Sequence, residues 1–182
     1  SEVIGSTGGL NVWGTQSGIF TVSLEKGSHE LEIFINSGEI NFNYLSFTPI
    51  DTDIIHTVLS GELNKINAAD VLLSGGGVAV ENRPNDSSTY GGKLMGHLDS
   101  GYMYYYIDVE KSGEYDFSAI AASQNGTGGF NLYIDDTKVG TASLTATTGG
   151  WYSWKSMVPL TVYMTKGRHI IKTEIIKSGM NL

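Results

Sequence analysis

The chain has 182 residues, 40% of them apolar and only 16% charged, with 24 glycines and a formal charge of −8. That length admits one domain or one and a half small ones, and the apolar share is enough for a core. The acidic balance excludes phosphate-backbone binding, which needs Lys and Arg clusters; zero cysteines exclude disulfides, thiolate metal sites and a cysteine nucleophile; no apolar run is long enough to span a bilayer.

Low charge, abundant Gly and many Thr, Ser and Tyr suit strands joined by tight turns. Phe20-Thr21-Val22-Ser23-Leu24 runs into a Lys26-Gly27 turn, and Leu31-Glu32-Ile33-Phe34-Ile35 follows. Pro49 and Asp51 mark a boundary. Over 52–64, Ile54, Ile55, Val58 and Leu59 sit at helical spacing, so 51–63 reads as a linker or a short helix. Further strands are expected over 102–109, 115–121, 130–134, 161–164 and 170–176. Between them lie Lys111-Ser112-Gly113, the loop 125–129, the Asp135-Asp136 turn and Lys166-Gly167. Evenly spaced short strands with Gly-bearing turns indicate an all-β sandwich or barrel.

One segment occurs twice. Thr7-Gly8-Gly9-Leu10-Asn11-Val12-Trp13 matches Thr148-Gly149-Gly150-Trp151-Tyr152-Ser153-Trp154. The match resumes at Leu24-Glu25-Lys26-Gly27-Ser28-His29 and Met164-Thr165-Lys166-Gly167-Arg168-His169. The first copy runs on through Asn41-Phe42-Asn43-Tyr44-Leu45-Ser46-Phe47; the second reaches only Asn181-Leu182. A repeat of this period is a domain rather than a solenoid unit. We therefore expect the C-terminal half of one module over 1–50, a connection over 51–63 and a nearly complete module over 64–182.

The run Gly91-Gly92-Lys93-Leu94-Met95-Gly96-His97-Leu98-Asp99-Ser100-Gly101-Tyr102 is followed by Gly113-Glu114-Tyr115, Asp135-Asp136, Thr148-Gly149-Gly150-Trp151 and Gly167-Arg168-His169. With the Asn41-Phe42-Asn43-Tyr44 of the half copy, this succession resembles the family-6 carbohydrate-binding modules over 66–182. The resemblance implies a jelly-roll β-sandwich and a non-catalytic role. Such a module holds a linked glycoside hydrolase near its polysaccharide, by local concentration rather than chemistry, in a secreted or cell-surface protein. The glycan expected is a β-glucan.

The resemblance also implies a sugar site in loops at one end of the sandwich, carried here by Trp151, His97, Glu81 and Asn181. An exposed ring stacks on the apolar face of a pyranose, while a carboxylate and an amide bond its polar rim. Each residue has a plainer reading beside this one. Trp151 competes with a core role, for which Trp154 is better suited, since Trp13 repeats it. His97 is either a site residue or a satisfied loop histidine. Glu81-Asn82-Arg83 is either functional or a solvated turn with an internal ion pair. The dense Tyr102, Tyr104, Tyr105 and Tyr106 strand reads as core and sheet surface, with a second sugar platform as the functional alternative. His29 and His169 recur at a turn, which suggests packing rather than metal binding. Since the second copy stops at Leu182, a strand from 38–48 is a candidate to complete it, in the same chain or in a strand-exchanged dimer. Asn41 would then serve in place of Asn181.

The family pattern further implies a structural calcium held by Glu-x-Glu on an early strand. Here Asn67 and Ala69 stand in those places. Calcium prefers several hard oxygens, and losing both carboxylates argues against it, leaving Asp70 or a main-chain carbonyl as partial substitutes.

No enzyme signature is present. A glycosidase needs two carboxylates set about 5 to 10 Å apart across a cleft, whereas Asp99, Asp108, Glu114, Asp116, Asp135 and Asp136 are spread over strands and turns and none pairs with Glu81. There is no Gly-x-Ser-x-Gly elbow, His-Glu-x-x-His or phosphate loop. The alternative to a sugar-binding module is a structural or adhesive repeat whose site has lapsed, for which Leu10 and His97 speak.

Overall fold

The computed structural model describes residues 24, 27–33 and 55–182. The chain separates into two units, Ser1–Pro49 and Ile50–Leu182. In the first, residues 24 and 27–33 are exposed and lie in no regular element. The alternating run that begins at Leu31 is thus no strand over 31–33; alternation makes a strand only where a neighbour supplies hydrogen bonds. Asn41 and the half copy's motifs over 7–13 and 41–47 lie outside the described residues.

The second unit is a β-sandwich of jelly-roll type. One layer contains β1 (Ile55–Val58), β5 (Gly101–Val109), β12 (Gly167–Lys177), β8 (Gly129–Ile134) and β9 (Thr137–Ser143), in that order, with β2 (Leu73–Gly75) also on β5. The other layer is built from pairs: β3 (Ala79–Asn82) with β4 (Lys93–Gly96), β7 (Ile120–Ser123) with β10 (Gly150–Ser156), and β6 (Gly113–Phe117) with β11 (Leu160–Met164). Asn181 and Leu182 join two of these pairs. Asn181 exchanges backbone hydrogen bonds with Ala122 of β7, and Leu182 with Met95 of β4.

Period-two alternation sorts the side chains. On β5, Met103, Tyr105, Ile107 and Val109 face inward and are buried. They meet Phe130, Leu132, Ile171 and Ile175 of the same layer and Met95, Ala121, Val162 and Met164 of the other. Phe117 and Phe130 pack edge to face across the layers at 6.3 Å. The tyrosine strand is core and sheet surface: Tyr105 is buried with its hydroxyl donating to the Ala68 carbonyl at 2.8 Å, and burial pushes its pKa up. Outside, Lys172 lies over the rings of Tyr104 and Tyr133.

Two expectations need correction. The helical spacing near 55–59 is a strand: β1 runs parallel to β5, pairing Ile55 with Tyr106 and Val58 with Val109. A single apolar turn cannot nucleate a helix alone, whereas the free edge of β5 offers hydrogen bonds and a buried place for Val58. The strand expected over 115–121 is two strands. At Ser118-Ala119 the chain leaves β11 for β10, with the Met157 N–H donating to the Ala119 carbonyl at 2.8 Å.

His169 faces inward from β12 and braces the β8–β9 hairpin rather than a metal. Its Nδ1 lies 2.6 Å from Asp135 Oδ2 and its Nε2 2.8 Å from the Thr165 carbonyl. Only the doubly protonated ring donates to both acceptors. Burial opposes that charge, but the bonds to Asp135 and Thr165 outweigh it and hold the pKa above its usual value. With the folded pKa raised above an unfolded value of about 6.5, the stabilisation is complete below that pH and lost as pH rises through the folded value. The gap in melting temperature between the wild type and His169→Gln should therefore narrow on going from about pH 6 to about pH 9. A gap that stays constant would mean that folding leaves the pKa of the ring unchanged.

Candidate functional site

β3 and β4 form a short hairpin in which Glu81 pairs with Leu94 and Ala79 with Gly96. Glu81 is held from one side. Its Oε1 accepts from the Tyr152 hydroxyl at 2.9 Å and from Arg83 Nη1 at 3.3 Å. Arg83 in turn lies over the Tyr152 ring, 3.7 Å from its centroid, and its Nε donates to Asp86 Oδ2 at 2.9 Å. Asp86 is fixed by Ser88 as well; the hydrogen bonds from Ser88 and then Arg83 bring its pKa down to about 2. The bond to Glu81 raises the Tyr152 phenol above its usual value. So Arg83, Tyr152 and Asp86 lock one carboxylate oxygen of Glu81.

The other oxygen faces Gly96. A Cβ placed on Gly96 would lie 3.6 Å from Glu81 Oε2 and 3.6 Å from Asn181 Oδ1. The missing side chain lets a carboxylate oxygen and an amide oxygen meet beside the buried Gly96 backbone, a cradle whose third neighbour is Leu94 Cδ1. Asn181 is buried, and its Nδ2 donates to the Trp151 carbonyl at 2.9 Å. That bond turns Oδ1 toward the cradle and ties the amide to β10. Since Asn181 is also the residue stitched to β7, its position depends on the whole pleated layer.

The Thr-Gly-Gly-Trp motif is anchored at its threonine. Thr148 is buried; its Oγ1 accepts the Ser123 N–H at 2.7 Å, and its own N–H donates to the Ser123 carbonyl at 3.0 Å. Gly149 has φ 103°, a conformation open to glycine, and the chain turns there into β10. Trp151 and Tyr152 emerge exposed, at 38% and 39%. Trp151 is thus a surface ring and not a core residue. Trp154 is only half-buried, with its indole N–H lacking a partner. His97 follows Gly96 directly, is exposed, and has φ 54°.

Glu81, His97, Asn181 and Trp151 thus come from four chain segments to the neighbourhood of Gly96. Tyr152, Arg83 and the Gly96 gap were not singled out from the sequence. The only signals were adjacency to Trp151 and the Glu81–Arg83 ion pair, which exists and forms part of the clamp. Of the two Glu81 carboxylate oxygens, Oε1 is thus taken and Oε2 is left for a ligand-side donor. A shallow concavity lined by Asn82, Pro84, Gly91, Gly92 and Lys93 lies at the far end of the hairpin and gathers no carboxylate. No described residues form a group of three His, Asp or Glu side chains able to hold a metal. Asn67 and Ala69 do not fit calcium, because the Asn67 amide turns N–H groups, not oxygens, to the nearby carbonyls.

Two β-layers carrying an acceptor, an amide and exposed rings on neighbouring segments have the make-up of a sandwich-type binding module. The profile of carbohydrate binding module family 6 matches residues 70–182, and the chain belongs to that family, which is carbohydrate-binding and non-catalytic. The second unit is similar to the C-terminal family-6 module of a marine laminarinase from Zobellia galactanivorans, at 28% identity and TM-score 0.55, over 64% of this chain and 90% of that one. It is equally similar to a family-6 module of Cellvibrio mixtus lichenase 5A, solved with cellotriose, at 28% identity and TM-score 0.55, over 64% and 89%. A β-1,3-glucan-binding family-6 module from Bacillus halodurans shares the fold at 21% identity and TM-score 0.53, over 64% and 88%. No curated protein matches the chain.

Proposed function

We propose that the second unit binds a β-glucan over Gly96 and thereby holds a linked glycoside hydrolase, in a secreted or cell-surface protein, near its substrate. The observation that carries this reading is the approach of Glu81 Oε2 and Asn181 Oδ1 to Gly96, each 3.6 Å from where a Cβ on that residue would lie. Neighbouring sugar hydroxyls donate one to the Glu81 carboxylate and one to the Asn181 amide oxygen, while the exposed Trp151 takes an apolar ring face. His97 borders the same opening with less apolar surface. The cellotriose bound by the lichenase module and the laminarinase origin of the other relative support a glucan over other polysaccharides.

Titration calorimetry against laminari-, cello-, xylo- and agaro-oligosaccharides tests this. Saturable binding to a β-glucan is expected. Trp151→Ala should weaken it by about 2 kcal/mol, or roughly thirty-fold, the worth of a buried aromatic face. A folded protein that gives no heat with any of the four would leave a structural or adhesive repeat as the better account. Strongest binding to xylan or agarose fragments would move the substrate away from glucan.

A further inference from the structure

We infer that the Asn67 carboxamide takes the place of the calcium that the family resemblance implies, so that the second unit folds without a metal. Asn67 is buried at 7% exposure. Its Nδ2 donates to two main-chain carbonyls, that of Tyr90 and, at 3.1 Å, that of Lys93. These carbonyls flank the short 3-10 turn Tyr90–Gly92. Its Oδ1 accepts the Ala69 N–H at 2.8 Å. Two carbonyl oxygens converging on one point need something positive between them. An amide nitrogen supplies two hydrogens for that, and both are used. The orientation is not interchangeable. Flipped, the side chain would turn its oxygen to two carbonyls and its NH2 to the Ala69 N–H, making three repulsive contacts.

Calcium does not fit beside this arrangement. It takes six to eight oxygens at about 2.3 to 2.6 Å, and the carboxylate nearest in sequence, Asp70, is already held by Lys93 Nζ at 2.5 Å. The turn also closes on the amide: a Cβ on Gly91 would lie 2.7 Å from Asn67 Nδ2. An amide and an ammonium thus supply, as covalent parts of the chain, the positive ends that a bound cation would otherwise bring.

The test is thermal unfolding of the full chain in millimolar calcium and in excess chelator, for the wild type, Asn67→Asp and Asn67→Ala. The wild-type midpoint is expected to be the same in both. Asn67→Asp sets a carboxylate against two carbonyls; in chelator its midpoint should fall by about 5 to 10 °C, and calcium should restore part of that loss. Asn67→Ala should be lowered equally in both media. A wild-type midpoint that drops on chelation overturns the inference, and this result needs no variant to fold. So does Asn67→Asp melting like the wild type in chelator, or failing to respond to calcium, since either would show that no cation's place lies between those carbonyls.

Discussion

Replacing Glu81 with alanine is expected to cost glycan binding about 3 kcal/mol, more than a hundred-fold and close to the detection limit of calorimetry. Two effects combine. The hydrogen bond between a sugar hydroxyl and the free Oε2 is charge-assisted, and such bonds contribute about 1.5 to 3 kcal/mol. Glu81 is also the group that Arg83 and Tyr152 share, so its loss frees the ring beside Trp151 and the guanidinium stacked on it. Two milder variants separate these effects. Tyr152→Phe keeps the carboxylate and removes one donor to Oε1, so binding should weaken by only about 1 kcal/mol, roughly five-fold. Gly96→Ala leaves the clamp intact but puts a methyl 3.6 Å from both Oε2 and Oδ1. Its φ lies outside the left-handed region that strains an L residue, so the protein should melt near the wild-type temperature while the cradle is filled. If Glu81→Ala and Gly96→Ala both bind like the wild type, the sugar does not sit over Gly96.

Gly101→Ala is expected to destabilise the second unit by more than about 3 kcal/mol. Gly101 opens β5 with φ 118°, and a Cβ there would lie 2.1 Å from the Gly75 carbonyl oxygen and 3.0 Å from Gly76 atoms. Every one of those neighbours is backbone, so no rotamer change relieves the overlap. Nor can the chain shift freely, because β2 and β12 both pair with the first residues of β5. A fall of roughly 10 °C in melting temperature follows for a unit of this size. Gly113→Ala is the control. It opens β6, and nothing lies within 4 Å of its added Cβ; its melting temperature should move by only a degree or two. Equal midpoints for the two variants would refute the close approach of β5 to the 75–76 turn.

Gly101, the last glycine of the run from Gly91 to Tyr102, thus has a steric role that local sequence only hinted at. The run marked a turn before a long strand, and the strand is there as β5. What it did not disclose is that Gly96 has the Glu81 and Asn181 side chains opposite it, while Gly101 has another stretch of backbone. The two look alike in sequence. They differ only in what the fold brings opposite them.

The sequence by itself determined the strand class, most strand positions, the Asp135-Asp136 hairpin and the Thr148–Trp151 turn. Each of these rests on neighbours in the chain: period-two alternation, residues tolerant of positive φ, and a glycine before an exposed ring. It also located Glu81, His97, Trp151 and Asn181 as candidates, because the family motif travels with them. Only the tertiary structure decided that 55–58 joins β5 as a strand, since four apolar residues carry no period of their own until a partner edge is present. Only the tertiary structure turned an ion pair in a turn into a clamp, through Tyr152 from a strand seventy-one positions away. The carboxamide of Asn67 likewise finds its carbonyls twenty-three and twenty-six residues on. Local rules set what each segment is; which side chains share one point depends on strand pairing and register across the sandwich, and those are contacts between segments that no local pattern contains.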